Sequence, residues 1–378
     1  MGRTSVFTCL MAGFVTLSVG AVRAQAQSAP YVQVGNGGSP VACPPDDNFA
    51  SGMKCYSGTV LGCPYAEDLG ITYGYEPPPT GVKLIGTIVL LPGAGGQIAA
   101  SADENKYAGD YANAGYEVVE LAWDSDWEDA TNGMGPPPYA YNIEAAACRP
   151  ATFLNYVFTK STLLYSTGGR CTQGLSAGSG AVAYALAWYA AGAYLDKVEL
   201  LSGPVFSDID QGCEVPAAPN VTVCQASPSW CQLGTQPPWS QAPAYGGNPL
   251  NSVKVWTGDS TCVGSSNTTQ QSEANWLAMS IVNANIPTLS YPNTNVTAWL
   301  CASVAGGGSM NNSSPQGQLF YEKIVTNSNL SVYAVQFCNG PEGVDGGTVP
   351  ALNGEGGYDA ILNDMTTMPN QCVKNPNH

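Results

Sequence analysis

Histidine is almost absent from this sequence, since His378 is the single histidine among 378 residues. Imidazole is the side chain most used as a base near neutral pH and is a frequent metal ligand, so its scarcity argues against a histidine-based metal centre. Cys-x-x-Cys pairs are missing too, and with them the common zinc-binding spacing. The acidic stretch "WDSDWEDA", residues 123–130, lacks the spacing of an EF-hand, and we predict a solvated loop there. We expect no metal and no cofactor.

Basic residues are also scarce. Lys and Arg total 12 against 28 Asp and Glu, which gives a net charge of -16. Binding to nucleic acids or to anionic membrane surfaces depends on clustered Lys and Arg, so the sequence predicts no nucleic-acid partner. Beyond the N-terminal segment the chain has no long uncharged apolar run, and we predict no membrane span.

The N-terminal segment is typical of a secretory signal peptide. It contains Arg3, an apolar run from Val6 to Val22, and small-x-small cleavage sites at 22–24 and 24–26. The apolar run is too short for a stable membrane span. We therefore predict that residues 1–26 are removed and that the mature protein is secreted or periplasmic.

Cysteine usage supports an oxidising compartment. Of the 13 cysteines, Cys9 lies in the predicted signal peptide, and the even number that remains is typical of a disulfide framework whose pairing the sequence does not reveal. Residues 27–80 combine three cysteines with many prolines and glycines and show little periodicity, which predicts a disulfide-tied N-terminal extension. Residues 205–290 contain four more cysteines among prolines and tryptophans and are interpreted as a lid-like insertion.

Strand and helix patterns alternate through residues 81–378, apart from that insertion. The buried strand pattern of Ile88–Leu91 comes first, and Tyr116–Ala122 follows a helical stretch. Later segments continue the alternation with strands in "KVELLSG", "NVTAWLCAS" and "NLSVYAVQFC" and helices between and after them. Such alternation predicts an α/β fold with a mostly parallel sheet and helices on both faces. Pro150 should kink or divide the helix predicted around it.

The pentapeptide Gly-Leu-Ser-Ala-Gly, residues 174–178, is the strongest candidate for a catalytic motif. In a chain with 44 glycines it is weak evidence alone. Its context matches a nucleophile elbow, because small residues flank Ser176 and a long helical pattern follows. An oxyanion hole needs backbone N–H groups from the residue after the nucleophile and from an earlier loop. Ala177 would provide the first, and Ala94 or Gly95 in "LPGAGG" the second. The same loop is equally consistent with a tight turn from strand to helix, and less so with a phosphate site, because the lysine of a P-loop is missing.

This order of strand, glycine loop, strand, elbow, helix and later strands resembles the α/β-hydrolase family over roughly residues 82–372, and more narrowly its secreted, disulfide-containing bacterial serine esterases and lipases. The resemblance implies that Ser176 is the nucleophile, that an Asp or Glu follows a later strand, and that a histidine follows the last strand.

The sequence departs from that pattern at the histidine. After the last predicted strand it reads "CNGPEGVDGGTVP", and Asn339 stands where the imidazole should be. An amide cannot accept a proton near neutral pH, so Ser176 would lack its usual base. The acid is also uncertain. If "NVTAWLCAS" is the preceding strand, its loop has no carboxylate, whereas the alternative strand "SVKVWTGDS" would place Asp259 correctly. We favour the first assignment.

Two groups could replace the missing histidine. Only six residues follow Cys372, and they span at most about 20 Å, so His378 could barely reach the site and a frayed terminus is expected. Glu342 and Asp345 lie in the histidine loop and could provide a carboxylate base at acid pH. The simpler interpretation makes both of them solvated turn residues.

Three hypotheses for function remain. The first is a secreted α/β-hydrolase-fold protein of the serine esterase type with an incomplete triad, weakly active or catalytically degenerate. The second is an active acid-pH serine hydrolase that uses a carboxylate base. The third is a non-catalytic extracellular binding protein. The predicted partner in each case is a small-molecule ester or a peptide-like ligand.

Overall fold

The computed structural model describes residues 29–93, 96, 102–128, 143–161, 168–201, 203–209, 276–283, 289–301, 316, 317, 320, 323, 329–335, 357–369 and 371–378. In this described part of the chain, each helix is too short or too polar to cross a bilayer.

The described residues build one nine-stranded sheet. Its strands are β1 (Tyr31–Val34), β2 (Lys54–Leu61), β3 (Leu69–Glu76), β4 (Gly86–Leu91), β5 (Tyr116–Trp123), β6 (Gly169–Leu175), β7 (Lys197–Leu201), β8 (Asn295–Cys301) and β9 (Asn329–Val335). Their order across the sheet is β1-β2-β3-β5-β4-β6-β7-β8-β9. The six neighbouring strands β5, β4, β6, β7, β8 and β9 run parallel to one another. The strands β3, β2 and β1 extend the sheet beyond β5, and each is antiparallel to its neighbour.

Helices cover both faces of this sheet. They are α1 (Ala102–Asn113), α2 (Ile143–Ala146), α3 (Cys148–Asn155), α4 (Ala177–Tyr189) and α5 (Gly357–Thr366), and a π-helical turn (Tyr156–Lys160) continues α3. Side chains of α3 and α4 pack with one face of the sheet, and side chains of α1 and α5 pack with the other. The predicted α/β fold, with a mostly parallel sheet between two helical layers, is confirmed.

The central strands are buried for a reason visible in their composition. Every residue of β5 is buried, and β4 is buried at all but one of its six positions. Strands covered by helices on both faces need apolar side chains in both directions, which explains their continuous rather than alternating apolar pattern. The strand positions predicted at Ile88–Leu91 and Tyr116–Ala122 are therefore confirmed.

The N-terminal extension, which follows the predicted signal peptide, contributes the three strands β1, β2 and β3, which the sequence patterns did not predict. Glycines in β3 interrupt its apolar pattern, but they mark close packing and not turns. A Cβ on Gly74 would lie 2.6 Å from the Phe49 ring and the Met53 sulfur, and a Cβ on Gly70 would overlap the Asp124 carboxylate. Since the periodicity signal depends on side chains that these glycines lack, residues 27–80 resembled a loop although they form part of the sheet.

Three disulfides connect the described residues. Cys43–Cys55 joins the chain before β2 to that strand, Cys63–Cys148 joins the chain after β2 to α3, and Cys171–Cys372 joins β6 to the segment after α5. The prediction that disulfides tie the N-terminal extension is confirmed. The four cysteines of the predicted insertion lie outside the described residues.

The helix predicted around Pro150 is divided in two, as expected. The division falls at Ala147, between α2 and α3, and Pro150 lies in the first turn of α3. A missing N–H costs no helical hydrogen bond at that position.

A charged cluster is buried between β6, β7 and α5. The Lys197 ammonium lies 2.6 Å from Oδ2 of Asp364 and also donates to the Asp364 carbonyl. Beside this pair, Oε2 of Glu199 accepts a hydrogen bond from the Gln173 amide. Burial raises the pKa of the Glu199 carboxyl well above its usual range; Lys197 lowers that pKa, while Asp364 raises it further. The neutral acid is therefore the form of Glu199 that this cluster favours.

The raised pKa of Glu199 predicts a stability that falls as the pH rises. Above the ordinary carboxyl value of 4.5, the unfolded chain releases this proton while the folded chain keeps it, so the free energy of unfolding decreases with pH. We expect Glu199→Gln, which cannot ionise, to lose less stability than the wild type between about pH 5 and about pH 8. Urea unfolding at a series of pH values measures the difference, and equal slopes for the two proteins would contradict the prediction.

Candidate functional site

Ser176 lies on a sharp turn between β6 and α4. Its backbone angles are φ 50° and ψ −112°, a sparsely populated region for any residue with a side chain. Its N–H donates to the carbonyl of Leu201 at the end of β7, at 2.9 Å. Its carbonyl oxygen accepts hydrogen bonds from the Gly180 N–H at 3.2 Å and from the Ser179 hydroxyl at 2.5 Å. The half-buried Ser176 therefore sits in a turn that is fixed on both sides.

The glycines of the motif allow this turn to pack closely. A Cβ on Gly174 would overlap the carbonyl of Gly178, and a Cβ on Gly178 would overlap the carbonyls of Leu91 and Pro92. The motif thus brings the end of β4 directly against the start of α4. The predicted requirement for small residues around Ser176 has a steric cause at both positions.

The loop after β4 reaches Ser176, as an oxyanion loop must. A Cβ on Gly93 would lie 3.8 Å from Cβ of Ser176. Farther along, the carbonyl of Gly96 accepts a hydrogen bond from the Trp123 N–H at 2.9 Å, which ties the loop to the end of β5. The candidate donors Ala94 and Gly95 lie outside the described residues.

Ala177 is the other candidate donor. It is the first residue of α4, where an N–H has no partner within the helix. Among the described residues, no backbone carbonyl accepts a hydrogen bond from it. Its N–H is therefore a candidate donor to a ligand beside Ser176.

His378 lies at the amino ends of the parallel strands, opposite to Ser176. Its Nδ1 is 2.8 Å from Oδ1 of Asp196, and its Nε2–H donates to the carbonyl of Gly192 at 3.1 Å. The same Asp196 carboxylate accepts the N–H of Arg170 near the start of β6, while Ser176 follows the end of that strand. Ser176 is six positions after Arg170 along this strand, which corresponds to about 20 Å at the usual rise.

The expectation that His378 is frayed is wrong. Its side chain is 3% exposed, because the buried Asp196 carboxylate and the Gly192 carbonyl hold the ring. This position also removes His378 as a base for Ser176, because His378 lies near the start of β6 and Ser176 follows the end of that strand.

Several predicted site residues cannot be placed. Asn339, Glu342, Asp345 and Asp259 all lie outside the described residues. The strand question is answered, because β8 lies between β7 and β9 and corresponds to "NVTAWLCAS", the strand that we favoured.

The segment after β7 contains a buried carboxylate that we did not predict at this edge. Asp208 is 6% exposed, and its backbone is held by the Gln316 side chain, which donates to the Asp208 carbonyl and accepts its N–H. Phe206 nearby has φ 68°, another strained backbone. We had assigned residues from 205 onward to the insertion. The sequence carries no signal for this clamp, because Gln316 lies more than a hundred residues away.

The acidic stretch after β5 differs in part from the predicted solvated loop. Asp124 and Asp126 are exposed as expected, but Trp127 and Glu128 are buried. The Trp127 ring packs against Tyr184 of α4. Among the described residues, no group of three or more His, Cys, Asp or Glu is arranged to hold a metal ion.

The close packing of the motif predicts a steric effect of Gly178→Ala. The new methyl group must displace backbone carbonyls, so we expect a loss of about 1–3 kcal/mol in the free energy of unfolding, together with slower reaction of Ser176. Gly109→Ala in α1 is the control, because a Cβ there meets nothing within 4 Å. That change should be neutral or stabilising by up to about 1 kcal/mol. Urea unfolding of both variants measures the contrast, and equal stabilities would contradict the packing described.

No protein-family model and no curated protein matches the sequence. Solved esterases are similar to the chain in structure. Acetyl xylan esterase 1 from Thermoanaerobacterium sp. JW/SL YS485 has 12% identity and a TM-score of 0.49, with 82% of this chain and 83% of that one covered. A thermostable esterase from Pseudomonas putida ECU1011 has 12% identity and a TM-score of 0.46, with 86% and 84% covered. Est1E from Butyrivibrio proteoclasticus has 9% identity and a TM-score of 0.42, with 79% and 92% covered.

From its own topology, with the elbow between β6 and α4 and the loop after β4 beside it, the chain has an α/β-hydrolase fold.

Proposed function

We propose that this protein is a serine hydrolase, of the esterase type, that is acylated at Ser176 by small-molecule esters and turns over slowly. The observation that carries the proposal is the strained backbone of Ser176, which lies between β6 and α4 and is hydrogen-bonded to β7. Strain of this kind costs on the order of 1–3 kcal/mol and is found where a function requires it.

The proposed reaction is acyl transfer. The Ser176 hydroxyl attacks the ester carbonyl carbon, and the carbonyl oxygen takes up negative charge beside the Ala177 N–H. The bond to the alcohol oxygen then breaks, and the alcohol leaves with the proton that Ser176 has lost. Water hydrolyses the acyl-serine and restores the hydroxyl group.

The slow turnover follows from the missing base. General-base catalysis typically contributes about 10²–10⁴-fold to such a reaction. The only imidazole of the chain is held by Asp196 at the far edge of the sheet. Without it, Ser176 reacts with the help of the strained turn and the oxyanion donor alone, which supports a weakly active or degenerate esterase.

A carboxylate base acting at acid pH is the second candidate. Asp208 favours it, because this buried carboxylate belongs to the segment after β7, whose residues Val205 and Phe206 pack against Gly180 one turn beyond Ser176. Such an enzyme would need a carboxylate whose proton affinity suits general-base catalysis. Its rate would rise with pH through the carboxyl pKa and reach a plateau already in mild acid, below the pH range of an imidazole base. Glu342 and Asp345 remain further candidates for the same role.

The test is the reaction of Ser176 with a fluorophosphonate, followed by mass spectrometry of the labelled peptide. Wild type should be labelled slowly, and Ser176→Ala should not be labelled. His378→Ala should be less stable, because it leaves Asp196 without its buried partner, yet should be labelled at the wild-type rate. A slower labelling of folded His378→Ala would contradict the proposal.

The pH dependence separates the two candidates. Hydrolysis of p-nitrophenyl acetate and butyrate would be measured from about pH 3 to about pH 9, a range that spans carboxyl and imidazole titration. A Ser176-dependent rate that already reaches its plateau in mild acid and is lost in Asp208→Asn supports the carboxylate base. A slow rate that increases with hydroxide supports the degenerate esterase. No labelling and no turnover at any pH would leave the non-catalytic binding protein.

We also propose that the protein is exported. Three disulfides among the described residues and the signal-like segment before residue 27 support this proposal. The full chain, expressed in a bacterial host, should appear outside the cytoplasm with a new N-terminus near residue 27. Intact mass measurement decides the matter, and a full-length cytoplasmic chain with free thiols would contradict export.

A further inference from the structure

The hydroxyl of Ser179 is placed to act on the oxyanion donor without touching the substrate. Ser179 is fully buried, and its hydroxyl donates to the carbonyl oxygen of Ser176 at 2.5 Å. The Gly180 N–H donates to the same oxygen at 3.2 Å. Two donors therefore hold one carbonyl whose residue has strained backbone angles.

That carbonyl belongs to the same peptide unit as the candidate oxyanion donor. The Ser176 C=O and the Ala177 N–H share one rigid plane and point in opposite directions. A hydrogen bond that fixes the carbonyl therefore also fixes the direction of the N–H. It polarises the peptide unit as well, which strengthens the N–H as a donor.

Ser179 is itself held in place by the segment after β7. A Cβ on Gly203 would overlap the Ser179 hydroxyl oxygen, so the two chain segments are in direct contact. In the next position of α4, a Cβ on Gly180 would lie 2.9 Å from the Phe206 ring and 3.0 Å from the Val205 side chain. The strained turn at Phe206 thus packs against the first turn of α4 and leaves the hydroxyl little freedom.

We propose that Ser179 is a positioning residue, which orients the Ser176–Ala177 peptide so that the Ala177 N–H points at the developing oxyanion. The inference rests on the proposed function of Ser176 and adds a residue to it. It differs from an ordinary helical serine bond. Thr366 in α5 also donates to a carbonyl of the preceding turn, that of Leu362, but no strained residue or free N–H is attached to that acceptor.

The test compares Ser179→Ala with Thr172→Val. Thr172 is also fully buried and donates its hydroxyl to a backbone carbonyl, that of Val89 at 2.9 Å, but it lies inside β6 away from the turn. Both changes remove one buried hydroxyl bond to the backbone, so their general effects on stability should be comparable.

We expect the two variants to differ in the rate of acylation. Losing an oxyanion donor costs about 10²–10³-fold, and misorienting it should cost about tenfold in the fluorophosphonate labelling rate of Ser179→Ala. With p-nitrophenyl esters the loss should appear in kcat, with KM nearly unchanged. Thr172→Val should react at close to the wild-type rate. Equal rates for Ser179→Ala and wild type would overturn the inference.

Crystal structures of the two variants provide a readout that does not depend on activity. In Ser179→Ala the Ser176–Ala177 peptide plane should rotate by more than about 20°, the tolerance within which catalytic groups must be held. In Thr172→Val it should keep its orientation. If wild type does not react at all, the proposed function fails and the peptide plane alone decides the inference. An unrotated plane in Ser179→Ala overturns it in either case.

Discussion

The backbone of Ser176 occupies a region of φ and ψ that a residue with a side chain avoids, and its neighbours are arranged to keep it there. The turn is tied to β7 through the Leu201 carbonyl and to α4 through Ser179 and Gly180. It also packs against the end of β4, because Gly174 and Gly178 have no side chains to prevent it. The turn at Ser176 therefore lies where β4, β6, β7 and α4 meet.

Ser176 and His378 lie at opposite ends of the parallel strands. At the carboxyl ends of the strands lie Ser176, the loop after β4 and the buried Asp208. At the amino ends, Asp196 gathers donors from Arg170, Asn375 and His378 and so anchors the last residues of the sequence. His378 in this role supports the structure and lies away from Ser176. The esterase proposed here would therefore differ from a Ser-His-acid enzyme in its base, while the elbow at Ser176 is present.

Local patterns predicted the core of the fold and missed what depends on distant contacts. The apolar runs in β4 and β5 and the glycines around Ser176 carry their own signals, because burial on two faces and a tight turn demand particular residues nearby. The sequence did not predict the strand β3, because Gly70 and Gly74 interrupt its apolar pattern. These glycines leave space for side chains from other parts of the chain. Burial and the nearby Asp364 of α5 raise the pKa of the Glu199 carboxyl, and the sequence around Glu199 indicates neither of them. His378 looked like a free end because nothing in its own neighbourhood indicates Asp196.

The central claim is that Ser176 is a nucleophile whose oxyanion donor is present and whose imidazole base is absent. A crystal structure of the protein after reaction with a fluorophosphonate tests it most directly. The account predicts a covalent bond from phosphorus to Oγ of Ser176, a phosphoryl oxygen within hydrogen-bond distance of the Ala177 N–H, and His378 still bound to Asp196. An unmodified Ser176, or an adduct with His378 drawn beside it, would contradict the account.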